Sequence, residues 1–177
     1  MLPVGPLMIE HRLIEKMLER VSIIVEGIEQ EHSVNPVLID TIVDFIRMYA
    51  DRTHHGKEED ILFRDLSTRD LTADERRIMA ELVEEHKTGR RLTAELVVQR
   101  ERYVSGDNAA LEGMAASLRE LCAFYPEHIR KEDVGFFIPV MRHFTRQELD
   151  AMIAEMWKFD RQMIHEKYRA VVDALAG

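Results

Sequence analysis

Cysteine is nearly missing: Cys122 stands alone, so no internal disulfide can form, and the expected compartment is the cytoplasm. Proline and glycine are scarce, with five and eight copies, and they fall where helices should end. No apolar run approaches the roughly 18 residues that suggest a membrane span. The opening Met1-Leu2-Pro3-Val4-Gly5-Pro6 has no basic segment leading into an apolar one, so it does not read as a signal peptide. Positive charge is in deficit, with 24 Lys and Arg against 33 Asp and Glu, a net charge of −9. That balance excludes nucleic acid as a main partner and disfavours anionic membrane surfaces. Strand-like alternation is absent over any useful length.

What is present suits one soluble globular domain. The 177 residues are 46% apolar and 32% charged, enough to bury a sizeable core. Five helices are expected. The first runs from about Pro6 to Glu31, with Leu7, Ile14, Leu18, Val21, Val25 and Ile28 at helical spacing. Asn35 as N-cap and Pro36 at the first helical position open a second, reaching about Leu66. Thr72-Ala73-Asp74-Glu75 is a capping box opening a third, which ends near Ser105-Gly106. Asp107 caps a fourth that runs to about Gly135, with Pro139 breaking the pattern. Thr145-Arg146-Gln147-Glu148 opens the last, to about Ala174.

Short connections make sequential helices antiparallel neighbours. The expected fold is therefore all-α: an up-down-up-down antiparallel four-helix bundle over residues 1–143, with an additional C-terminal helix over 144–177. Leu149, Met152, Ile153, Met156 and Met163, with Trp157 and Phe159 nearby, give that last helix an apolar stripe. The stripe packs on the bundle or on a second copy in a homodimer.

The chain reads as two copies of one helical hairpin. His54-His55-Gly56-Lys57-Glu58-Glu59 with Phe63 matches His128-Ile129-Arg130-Lys131-Glu132-Asp133 with Phe137. Glu10-His11-Arg12 and Glu85-His86-Lys87 precede them, His11 lying 43 positions before His54 and His86 lying 42 before His128. At 1.5 Å rise per residue each of the four histidines lies roughly 32 Å from its hairpin tip. Antiparallel folding brings them to one level. In His-x-x-x-Glu the two side chains stand one turn apart on one helix face, the spacing a metal needs to take both. Four imidazoles and two carboxylates exceed a single tetrahedral zinc and suit a dinuclear site with both carboxylates shared. A lone inward histidine is more often a hydrogen-bonded core residue. Solvated i,i+4 pairs would explain either motif alone, but not four histidines at equal height.

These strings resemble the hemerythrin family, and more closely its HHE cation-binding branch, over about residues 7–140. The resemblance implies a non-haem pair of iron ions, of the Fe–O(H)–Fe type, with bridging carboxylates; manganese or a mixed pair fits the same ligands. By position it implies His11, His54, His86 and His128 as imidazole ligands and Glu58 and Glu132 as bridges, His11 and His54 on one ion and His86 and His128 on the other. Two one-step alternatives stay open: Asp133 for Glu132, and His55 with Glu59 for His54 with Glu58. Oxygen-carrying relatives have a fifth histidine one turn after the third, where this chain has Arg90. The implied consequence is an open position for oxygen, nitric oxide or peroxide, in a binding or sensing protein. The alternative is an enzyme reducing peroxide or nitric oxide, or an iron donor for iron–sulfur cluster repair.

Five other residues carry weaker expectations. His32 should be exposed at a turn, His143 structural or exposed, and His165 on the surface. Tyr125, three before His128, reads equally as a donor near the metals and as a core tyrosine. Cys122 reads as a buried, inert thiol.

Overall fold

Local capping explains where the helices begin and end in the computed structural model, which describes residues 2–175, with side chains through Met163. Helix α1 (Val4–Glu31) starts two residues ahead of Pro6. Pro6 still falls in the first turn, where the missing N–H has no partner to lose. Its C-cap, His32, is exposed and adopts the left-handed conformation (φ 50°), and its N–H bonds the Ile28 carbonyl at 3.0 Å. Helix α2 covers residues 36–66, and the Asn35 side chain accepts from the Val37 N–H at 3.0 Å. Helix α3 (Ala73–Val104) has the complete Thr72/Glu75 capping box and ends before Gly106, whose φ of 94° only glycine adopts without strain. Helix α4 covers residues 110–140. A short 3₁₀ turn (Met141–His143) leads to α5 (Arg146–Leu175), opened by reciprocal Thr145–Glu148 bonds. The surface role expected of His165 concerns a side chain outside those described.

Two departures from regular α-helix were not expected. Within α2, Phe45–His55 and Glu58–Phe63 are wound as π-helix; within α4, so is Lys131–Phe136. The segments Glu58–Phe63 and Lys131–Phe136 occupy nearly matching places in the two copies, so the duplication extends to the backbone. Nor does α4 stop at Gly135. Phe136 breaks the regular winding (φ −126°, ψ −56°), and Phe137–Val140 starts a fresh turn. Pro139 lies inside that first turn, where it needs no N–H partner.

The first four helices touch in a ring, α1 to α2, α2 to α3, α3 to α4 and α4 to α1, and α5 packs on the π-wound part of α2. Two apolar clusters fill the interior. One contains Ile14 to Ile28 of α1, Ile39 to Ala50 of α2, Leu92 and Leu96 of α3 and Met114 to Leu121 of α4. The other joins Val4 and Leu7, Ile61 to Leu66, Leu82, Phe136 to Val140, and Met152 and Met156 of α5. The histidines stand between them, a buried polar layer held by apolar packing on both sides. Trp157 of α5 is exposed, whereas Leu149, Met152, Ile153, Met156 and Met163 are buried. No helix among the described residues is long and apolar enough to cross a membrane.

Phe137 ties the second of these clusters to the polar layer. It is fully buried and stacks on the His11 ring, 5.7 Å between centroids and 5° between planes. Phe137→Ala should cost about 3–5 kcal/mol of folding stability. Urea unfolding of the metal-free protein measures this, and a loss below about 1 kcal/mol would contradict the packing described.

Candidate metal centre

His11, His54, Glu58, His86, His128 and Glu132 all converge at one level, each at most 2% exposed. Two groups of donor atoms result, each within 4.8 Å: His11, His54, Glu58 and Glu132, and His55, His86 and His128. The two carboxylates span them. Glu58 places Oε1 3.3 Å from His54 Nε2 and Oε2 3.3 Å from His86 Nε2. Glu132 places Oε2 3.1 Å from His11 Nε2 and Oε1 3.4 Å from His128 Nε2. Each thus offers one oxygen to the α1–α2 imidazoles and the other to the α3–α4 imidazoles.

Burial and partner separate the neighbouring carboxylates. Glu58 and Glu132 are fully buried at the centre. Glu59 and Asp133 turn outward and hold imidazoles from behind: His86 Nδ1 bonds Glu59 at 2.7 Å, and His11 Nδ1 bonds Asp133 at 2.7 Å. Glu10 holds His54 Nδ1 at 2.9 Å, and Glu85 holds His128 Nδ1 at 2.9 Å. All four Nδ1 atoms are therefore tied to carboxylates, leaving Nε2 to face inward, the arrangement that orients imidazoles for a metal. Within each hairpin the acid before the first histidine grips the second. Between hairpins the acid after each inward glutamate grips the other's first histidine. The sequence shows these acids beside every candidate ligand but not this role, which depends on crossing between helices.

Both His54 and His55 face the centre, although the sequence set them against each other. In a regular α-helix neighbours point about 100° apart. The wider π turn narrows that angle. His55 stacks on His86, 3.9 Å between centroids and 12° between planes. Where the expectation from Arg90 is an open position, α2 brings a further imidazole, His55, within reach of His86 and His128. Arg90 instead points outward, 2.7 Å from Asp51 and 2.7 Å from Glu59. Phenyl rings brace the imidazoles, Phe63 on His86 and Phe124 on His128, as Phe137 braces His11.

The electrostatics call for cations. Burial opposes charge on His11, but the Asp133 and Glu132 carboxylates outweigh it and raise its pKa to about 10. For His86, burial is likewise outweighed by Glu132, Glu58 and Glu59, and the pKa rises to about 11. Burial and the neighbouring His86 push His55 well down, into the neutral form that binds metals. Burial raises the Glu58 carboxyl, yet His54 and His86 hold it well below the usual range. Both oxygens of Glu58 and of Glu132, and Nε2 of His86 and His128, are buried without a hydrogen bond. Each unsatisfied buried polar group costs about 1–3 kcal/mol, more when charged. Neutral imidazoles and paired carboxylates are the donor set that suits first-row divalent ions, so the residues fit metal binding.

A cavity of about 230 Å³ lies beside His55, lined also by Ile46, Asp51, Gly89, Arg90, Thr93 and Tyr125. Tyr125 is buried, its ring 6.4 Å from that of His55, and burial raises its phenol pKa so that it stays protonated. Cys122 is only half-buried, not sealed in the core, because it sits on the α1 face near Ser22 (3.5 Å). His143 Nε2 lies 3.1 Å from both Glu75 oxygens, far from the centre in role.

Comparison with curated proteins and with solved structures gives no match. Residues 2–137, well over half of the chain, match the hemerythrin HHE cation binding domain. A buried layer of histidines and shared glutamates agrees with what that match implies, and the chain belongs to the hemerythrin HHE cation-binding family.

Proposed function

We propose that the centre holds two iron ions, and that the protein binds or senses oxygen, nitric oxide or peroxide there. His11 and His54 would hold one ion, His86, His128 and His55 the other, with Glu58 and Glu132 bridging. The observation that carries this reading is the division of each carboxylate's oxygens between the two imidazole sets. One tetrahedral ion would leave donors unused. Such an ion pair supplies redox change and coordination of a small ligand. With two imidazoles against three, the His11–His54 ion has fewer protein donors, and the small ligand is assigned to it.

The same reading takes α1 to α4 as an up-down-up-down bundle over residues 1–143, supported by short connections and by histidines meeting at one level. The C-terminal helix is an addition to that domain. The lone Cys122 supports a cytoplasmic setting.

Metal analysis of protein purified without oxygen tests the proposal. Two irons per chain are expected, with His54→Ala and His128→Ala well below that. Loading should also release protons, because the raised pKa values of His11 and His86 mean that metal displaces protons near neutral pH. Apparent affinity should then rise with pH and fall on acidification. Loading without proton release would contradict the assignment of these imidazoles. With metal bound, steady consumption of peroxide or nitric oxide would favour an enzyme, and one binding event per centre a sensor.

A further inference from the structure

The two hairpins are copies, but their surroundings are not. In the second copy Lys131 bonds Glu85, lies 3.3 Å from Glu81, and is 30% exposed. Its counterpart in the first copy, Lys57, is fully buried. Lys57 bonds Glu10, and its Nζ lies 2.7 Å from Asp160 Oδ1 on α5. Helix α5 lies beyond the family-matched residues 2–137. It seats closely here because Gly56 has no Cβ: one placed there would lie 2.8 Å from the Phe159 ring. Phe159 on Gly56 and Asp160 on Lys57 thus set α5 directly against the His54–Glu58 segment. A continuous line of contacts runs from Asp160 to Lys57, to Glu10, to His54 Nδ1.

We infer that Asp160 is a positioning residue for the His11–His54 metal position alone, acting on His54 through Lys57 and Glu10. This inference rests on the two-metal reading proposed above. A buried ammonium shared by two carboxylates gives less to each. With Asp160 neutralised, Lys57 turns wholly to Glu10, Glu10 gives less to His54 Nδ1, and the imidazole becomes a poorer, less well-oriented donor. His86 and His128 are held by Glu59 and Glu85, which take their cations from Arg90 and Lys131 and not from Lys57, so their ion should not feel the change.

The test uses the full chain loaded with iron(II), its metal content measured first, and release into a strong chelator. The wild type should release its ions in two phases. Asp160→Asn should speed one phase about tenfold, at the lower end of what loss of an outer partner costs, and leave the other unchanged. The Mössbauer signal of one iron should shift with it, and Asp160→Glu should restore much of both. Glu155→Gln separates positioning from mere docking, since Glu155 joins α5 to α2 through Arg64 at 2.7 Å, away from Lys57. It should change neither phase. If Asp160→Asn matches wild type, or alters both ions equally, the inference is overturned. If the wild type takes up no metal pair, the two-metal reading fails first, and this inference with it.

Discussion

Glu58→Gln is expected to leave the chain unable to hold a pair of metal ions. Glu58 is fully buried and aims one oxygen at each imidazole set, 3.3 Å from His54 and 3.3 Å from His86. Glutamine keeps the size but removes the charge and replaces one oxygen with an N–H₂ that points at a cation. One ion loses a ligand, and the pair loses a bridge. The loss in affinity should exceed about hundredfold, because outer partners alone are worth 10–100-fold. Glu59→Gln serves as the comparison, since Glu59 only supports His86 from behind and should stay within that outer range. Chelator competition and metal analysis after desalting measure both. Removing the charge also costs stability, because it leaves His54 and His86 without a buried partner, so metal is read per folded chain, with folding followed by circular dichroism. Two tightly held ions in Glu58→Gln would sink the bridging assignment.

His55→Ala should reduce metal content from two ions towards one, while Arg90→Ala should keep two. The family pattern points to position 90 for a fifth imidazole, yet Arg90 turns outward to Asp51 and Glu59. The structure instead brings His55 beside His86 and His128. The substitution leaves a cavity where the ring stacked on His86. Stability will fall too, so the deciding measurement is metal bound per folded chain, with folding followed by circular dichroism. Arg90→Ala removes contacts to Asp51 and Glu59, an effect one step behind the imidazoles, and should weaken loading by at most about tenfold. The reverse ranking of the two variants would return the open position to the α3 side and refute the role given to His55.

Much of this architecture was legible from spacing. The caps at Asn35, Thr72 and Thr145 form as their residue types dictate, because a side-chain oxygen near an unpaired N–H is a local event. The level of His11, His54, His86 and His128 follows from counting residues to the hairpin tips, since helix rise is constant. The misjudged ends have equally local reasons. Pro6 and Pro139 were read as boundary markers, but in a first turn a proline is compatible with helix on either side of it.

What spacing could not decide is which of two adjacent residues faces inward. Glu58 and Glu59, Glu132 and Asp133, and His54 and His55 differ by one step, and a small rotation of the helix exchanges them. Packing between the two apolar clusters sets that rotation, and the π-wound turns admit both histidines at once.

The amino-acid order by itself determined an all-helical chain of two like hairpins and the four imidazoles that share a level, because helix period, capping and rise are local properties. Tertiary packing alone decided the fifth imidazole, the carboxylates that grip each ring across helix boundaries, and the seat of α5 on Lys57. Those depend on which side chains from distant segments meet, and burial at a shared interface, not position along the chain, selects them.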